Sequence, residues 1–124
     1  MAGSRRVYQV GERIRELVAN HLLHTADPRF NLVTITSVMV SPDLRTAKVY
    51  WVVSFLSEQD RQERIQEVTE AFISAEGLFR RMLGKPLGIR FVPELKFFYD
   101  DTLDTAEDVE RLMGRIKSSE EAAE

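Results

Sequence analysis

The sequence predicts an α+β domain in which helices pack on one face of a three-stranded sheet. Two stretches carry apolar residues at alternating spacings of three and four, which is the period of an amphipathic helix. A stretch between them alternates apolar and polar residues, which is typical of a strand with one buried face. The predicted order of elements is α–β–β–α–α–β. Helices on one face of the sheet would bury all of these apolar stripes together.

Charge and size divide the chain into a body and a tail. The 124 residues suit one domain, and we predict a body at 1–100 and an acidic C-terminal tail at 101–124, partly helical or disordered. Residues 1–99 hold 14 Lys+Arg and 11 Asp+Glu, whereas residues 100–124 hold 3 and 9, so the body is mildly basic. The chain has no cysteine and no apolar run of membrane-spanning length, and we expect a cytoplasmic protein.

The first helix is predicted at about 5–23, with Ser4 as its N-cap. Arg5 and Arg6 have no acidic residue at helical spacing, which makes them candidates for phosphate contacts. A solvated, frayed helix end explains the two arginines equally well.

A β-hairpin follows, with strands at 32–40 and 46–55. The alternation of the first strand changes face near Thr36–Ser37, which either a bulge or burial of both faces would explain. Arg45 and Lys48 lie around the turn, where solubility or edge protection is a sufficient reason for them.

The second helical region runs to about Leu83 and carries a glycine in its middle. Its apolar face continues through Ala75-Glu76-Gly77, so Gly77 bends or breaks a helix whose two halves serve one core. The third strand is predicted at 89–100, and Pro93 restricts its first part to an edge or an irregular lead-in.

The outer face of this helix is the candidate polyanion site. Arg81 lies four residues after Gly77, where a kink would free backbone N–H groups and expose the positive end of a half-helix. Arg80 is four residues after Glu76, which is a favourable ion-pair spacing. An alternative explanation needs no ligand: the helix is interrupted for packing, and the two arginines are part of an ordinary charged surface. The candidate RNA-binding residues are Arg81, Lys85, Arg90, Arg80, Arg5 and Arg6, beside the kink motif Ala75, Glu76 and Gly77.

Catalytic and metal chemistry find no support in the sequence. His21 continues the apolar stripe of the first helix, so we expect a packed histidine rather than a metal ligand. Asp100 and Asp101 would point to opposite faces of a strand, which is unsuitable for paired acid–base work. We therefore predict no catalytic residue, no metal and no cofactor. Most of the strand aromatic residues are explained as core, and we expect Tyr50 and Phe98 to be the exposed pair on which bases could stack.

Longer blocks of the sequence resemble the bacterial ribosome-binding factor A family over most of residues 5–100. The most specific blocks are SPDLRTAKVY at 41–50 and VPELKFFYD at 92–100, and AEGLFRRMLG at 75–84 also matches. The resemblance implies a type II KH fold in which the A-x-G kink, here Ala75-Glu76-Gly77, replaces the usual G-x-x-G loop.

The same resemblance implies a non-catalytic assembly factor that binds free, immature 30S subunits through 16S rRNA. It implies a role in late maturation, including 5′-end processing of 16S rRNA, an association with cold adaptation, and departure from the mature 70S particle. We expect a monomer without a membrane or small-molecule ligand. The alternative is a protein-interaction module that docks a ribosomal or regulatory protein through its sheet face or its tail.

Overall fold

The computed structural model describes residues 2–102, with side chains from residue 5 onward. Most of the predicted acidic tail lies outside the described residues, so its division from the body stays a prediction. The elements are α1 (Ala2–His24), a 3-10 turn (Pro28–Phe30), β1 (Val33–Val40), β2 (Thr46–Val53), α2 (Glu58–Leu87) and β3 (Glu94–Tyr99). The predicted α+β class is confirmed.

The three strands form one mixed sheet in the order β1-β2-β3. β1 and β2 form the predicted antiparallel hairpin, and β3 pairs with β2 in parallel, with α2 as the crossover connection. The β1–β2 register shifts between Ile35 and Ser37, so a bulge at Thr36 explains the change of face. β2 ends at Val53, two residues earlier than the predicted strand at 46–55. Phe55 therefore lies outside the strand and is 39% exposed.

Both helices pack on the same face of the sheet, as predicted. Phe72 of α2 stacks on Phe97 of β3 with 4.4 Å between ring centroids, and Trp51 of β2 lies 5.6 Å from Phe72. His21 packs edge-on against Phe79 at 5.2 Å, in agreement with its expected place beside the core. Each large apolar side chain buried in this way contributes about 1.5–3 kcal/mol to folding.

The two predicted helices between β2 and β3 are one continuous helix. α2 keeps its helical geometry through Gly77, so the chain does not break there. Phe72 and Phe79, on either side of this glycine, are both fully buried in the same core, and their burial outweighs the cost of about 1 kcal/mol for a glycine inside a helix. The expected positive end of a second half-helix is therefore absent from α2.

The helix ends also differ from the predicted ones. α1 begins at Ala2, so Ser4 lies inside the helix instead of capping it. α2 continues beyond Leu83 to Leu87, includes Pro86 in its last turn and ends at Gly88, which has a φ of 63°. The left-handed conformation of Gly88 is the usual way to close a helix at its C-terminus.

Candidate nucleic-acid interface

Four arginines from four separate segments converge on one open groove at an end of the sheet, which we call the arginine groove. Its volume is about 430 Å³. Its cationic lining consists of Arg6 from α1, Arg45 after the hairpin turn, Arg80 from α2, and Arg90 from the α2–β3 connection. Two carboxylates, those of Asp43 and Glu94, complete the charged lining, so arginines outnumber acids two to one. Such a surplus of guanidinium groups attracts polyanions.

Strand pairing brings these segments together. The parallel ladder of β2 and β3 starts with Thr46 opposite Glu94, and the backbone N–H of Glu94 donates to the carbonyl oxygen of Arg45 at 2.8 Å. The hairpin turn therefore lies against the connection that follows α2. Arg45 and Arg90 line the same groove although 45 positions separate them in the chain.

The hairpin turn that carries Arg45 is held by hydrogen bonds to Asp43. The Asp43 carboxylate accepts from the Ser41 hydroxyl at 2.6 Å and from the Arg45 backbone N–H at 3.1 Å. These two bonds, the hydroxyl first, lower the pKa of Asp43 below its ordinary value. Leu44, which lies between Asp43 and Arg45 in the chain, has a φ of 61°. This left-handed conformation costs a residue with a side chain roughly 1–2 kcal/mol. The turn thus holds Arg45 on a fixed backbone.

The arginines themselves are weakly neutralised. Arg45 Nε lies 4.0 Å from Asp43 Oδ2 in a pair whose arginine side chain is 86% exposed. Arg80 Nε lies 3.7 Å from Glu76 Oε1, so the ion pair expected from their spacing is present but long. The guanidinium carbon of Arg90 lies 5.3 Å from the centre of the Phe91 ring, a cation–π contact. Exposed pairs of this kind contribute little to folding, which leaves the arginines available to a ligand.

The structure divides the predicted RNA-binding residues into two groups. Arg6, Arg80 and Arg90 line the arginine groove. Arg5, Arg81 and Lys85 are exposed but do not line it, and no ion pair joins them to any other described residue. Arg81 and Lys85 are one turn apart on the outer face of α2, and we call them the outer α2 pair.

The kink motif has an ordinary helical environment. Ala75 packs against the core, while Gly77 is exposed and has no atom within 4 Å of the position where a Cβ would be. Glu76 lies between these two positions and faces the space between α2 and β3. The motif contributes to the groove through Arg80, which Glu76 contacts, rather than through free backbone N–H groups.

Two groove residues have only weak signals in the sequence. An arginine beside a turn, such as Arg45, is common on protein surfaces, and Phe91 falls within the predicted third strand. Phe91 is 75% exposed and lines the groove because β3 begins at Glu94, three residues later. Arg45 and Phe91 are brought to the same groove by the pairing of Thr46 with Glu94. A single sequence does not reveal that pairing.

Other kinds of site are not found in the described part of the chain. Within residues 2–102, no three His, Asp or Glu side chains are grouped as a metal site would require. Neither helix in that range combines the length and apolar character needed to cross a membrane.

The fold and the groove define the class of this protein: a KH-like α+β domain with a basic groove at one end of its sheet. The family model for ribosome-binding factor A matches residues 6–113, and the chain belongs to this family. It is 36% identical to ribosome-binding factor A from Citrifermentans bemidjiense over 115 residues, which is 91% of this chain and 92% of that protein. The family predicted from the sequence blocks is confirmed.

Solved structures agree with the fold. The crystal structure of ribosome-binding factor A from Thermus thermophilus superposes with a TM-score of 0.63 at 22% identity, covering 75% of this chain and 93% of that one. A homology model of the Thermus thermophilus factor, fitted into an electron-microscopy map of its 30S complex, gives a TM-score of 0.59 at 21% identity. That comparison covers 76% of this chain and 94% of the other.

Proposed function

We propose that this chain is a non-catalytic assembly factor of the small ribosomal subunit. It binds immature 30S particles through 16S rRNA in the arginine groove and promotes late maturation, including 5′-end processing of 16S rRNA. Family membership supports this function, as does the 30S complex into which the Thermus thermophilus relative was fitted. The observation that carries it is the convergence of four arginines on one groove.

The groove has the chemistry of a phosphate-backbone site. Guanidinium groups bind phosphate oxygens with charge-assisted, bidentate hydrogen bonds, which are stronger than neutral ones. Arg45 and Arg90 come from two segments that lie side by side and line the same groove, so a phosphate backbone in the groove can contact both guanidinium groups. The exposed ring of Phe91 adds a surface on which an unpaired base stacks. Recognition then depends on RNA shape and single-stranded elements more than on a base code.

The factor acts by binding rather than by bond making. The groove lining supplies arginines, two carboxylates and apolar side chains, and no serine, histidine or cysteine that could serve as a nucleophile. We propose that a monomer in the cytoplasm stabilises one arrangement of the rRNA in free 30S particles. It leaves when maturation removes that arrangement, so the mature 70S ribosome is not a ligand.

Co-sedimentation tests the proposed ligand. The full-length protein is centrifuged with immature 30S, mature 30S and 70S particles at several salt concentrations. We expect binding that is strongest for immature 30S, absent for 70S, and weaker as salt rises because phosphate contacts release counterions. Equal binding to all three particles, or binding that salt does not change, contradicts the proposal.

The role in maturation needs a second readout. In cells depleted of the protein, primer extension measures the fraction of 16S rRNA that keeps its unprocessed 5′ end. We expect this fraction to rise on depletion and to return to normal when the wild-type chain is restored. A 5′-end profile that does not change on depletion would remove processing from the proposal while leaving particle binding intact.

A further inference from the structure

The face of the sheet opposite the helices carries two aromatic rings side by side. Tyr50 of β2 and Phe98 of β3 are partners in the parallel ladder, with ring centroids 5.7 Å apart and ring planes at 31°. Phe98 is 42% exposed and Tyr50 is half-buried, whereas Val49 and Trp51, the neighbours of Tyr50 in β2, point to the other face and are fully buried. Rings placed in this way are not needed by the core, which lies on the other side of the sheet.

Two lysines lie in the next row of the same face. Lys48 and Lys96 are also ladder partners, both are exposed, and neither is in an ion pair with another described residue. Like charges directly opposite each other destabilise a sheet when nothing lies between them. An anion lying across the row removes the repulsion.

We propose that these four residues, which we call the sheet patch, bind a single-stranded segment of RNA. Bases stack on Tyr50 and Phe98, and the phosphates contact Lys48 and Lys96. Aromatic rings beside a basic row are the combination that binds single strands, because every base has a stacking face and every nucleotide a phosphate. A protein partner fits less well, since the core of a protein interface is depleted of lysine.

This inference rests on the proposed function, because it assigns a second surface to the same class of ligand. The arginine groove lies at the end of the sheet, whereas the sheet patch is on the open face. Two sites on one rigid domain hold two RNA segments at a fixed distance, and linkage raises the combined affinity well above that of either site.

Crosslinking on the full-length protein tests the sheet patch directly. The probe is a single-stranded RNA octamer of uridine that contains 4-thiouridine, and mass spectrometry locates the crosslinked residues. We expect crosslinks at Tyr50 or Phe98. Fluorescence anisotropy with a labelled octamer measures affinity in parallel.

Variants separate stacking from a loss of folding. Phe98→Leu keeps an apolar side chain but removes the ring, and we expect octamer affinity to fall about tenfold, as is usual when one base–aromatic stack is removed. Phe98→Trp keeps a ring and should retain the affinity. Replacing both lysines by glutamine should reduce the salt slope by about 0.7 for each phosphate that is no longer neutralised. Tyr8→Leu, at a 69% exposed ring on α1, is the matched control and should change nothing.

Unchanged octamer affinity in Phe98→Leu, or crosslinks confined to the arginine groove, would overturn the inference. The sheet face would then belong to a protein partner or to the chain's own tail. The proposed function is tested independently, because Arg80→Glu with Arg90→Glu removes charge from the groove only. Loss of 30S binding in that variant, with no effect of Phe98→Leu, would leave the function standing and refute the sheet patch.

Discussion

Glu76 Oε1 lies 3.7 Å from Arg80 Nε, which is within ion-pair distance but too far for a hydrogen bond. This oxygen is buried and has no hydrogen-bond partner among the described residues. Glu76 therefore restrains Arg80 by charge without fixing its geometry. An incoming phosphate competes with this single carboxylate for the guanidinium group.

Glu76→Gln should strengthen binding to immature 30S particles. The change removes a negative charge next to a groove arginine, and two unit charges about 4 Å apart interact by about 1 kcal/mol in water, so we expect an increase of roughly two- to fivefold at low salt. Fluorescence anisotropy with labelled protein measures it. Glu63→Gln, at an exposed position of α2 remote from the groove, makes the same change in net charge and should have no effect. Equal gains in both variants would mean that only net charge matters.

Gly77→Ala should stabilise the protein by about 0.5–1 kcal/mol. Gly77 is exposed within a continuous helix, its φ is not positive, and an added Cβ meets no atom within 4 Å. Alanine is therefore the better helix residue at this position. Gly88→Ala is the matched comparison: with a φ of 63°, it should destabilise the fold by about 1 kcal/mol. Urea unfolding curves measure both, and a loss of stability in Gly77→Ala would show that α2 needs a break there.

Phe91→Ala should weaken RNA binding without a change in stability. The ring is 75% exposed, so its removal opens no cavity, but a base that stacks on it would lose about 1–3 kcal/mol of interaction. Binding to immature 30S should therefore fall at least fivefold. Ile73→Ala, at an apolar side chain that is 72% exposed on α2, is the control. Equal affinities of wild type and Phe91→Ala would exclude the ring from the interface.

We expect the free energy of unfolding to fall in acid as the Asp100 carboxylate becomes protonated. Its carboxylate accepts hydrogen bonds from the hydroxyls of Thr102 and Thr36, the latter at 2.8 Å, and the Thr102 bond is the main reason for a lowered pKa. A lowered pKa means that the folded state favours the ionised form. The resulting stabilisation is present above the unfolded value of about 3.9 and is lost as pH falls through the folded pKa.

Asp100→Asn provides the measurement for this effect. The difference in unfolding free energy between wild type and variant should be constant from pH 7 to about 5 and should shrink below about pH 4. A difference that does not change between pH 7 and pH 3 would show that the hydrogen bonds do not favour the ionised form.

The elements of the fold are predictable from sequence because their signals are local. The alternation in β2 and the three–four spacing in α2 identify the core residues, among them Val49, Trp51, Phe72 and Phe79, all of which are buried. The sequence leaves open whether α2 bends or breaks at Gly77. The helix does not break there, because residues on both sides of the glycine pack into the same core. Pro86 is typical of a helix stop, yet α2 includes it and ends two residues later at Gly88.

The candidate site is harder to predict because it depends on contacts between distant segments. The four-residue spacing of Glu76 and Arg80 predicts an ion pair and so favours Arg81 as the cation available to RNA. The ion pair is present, yet Arg80 and not Arg81 lines the groove. Arg45 enters the site only through the parallel pairing of β2 with β3, which joins residues about 50 positions apart. Local patterns carry no information about that pairing.

If RNA binds in the arginine groove, two charge-reversal variants should differ sharply in their affinity for immature 30S particles. Arg80→Glu with Arg90→Glu alters the groove, and Arg81→Glu with Lys85→Glu alters the outer α2 pair by the same net charge. Their affinities for immature 30S particles are measured at several salt concentrations. We predict that the groove variant loses binding and its salt dependence, while the outer variant retains most of both. Full binding by the groove variant, with loss in the outer variant, would exclude the arginine groove as the RNA site and place the RNA on the outer face of α2.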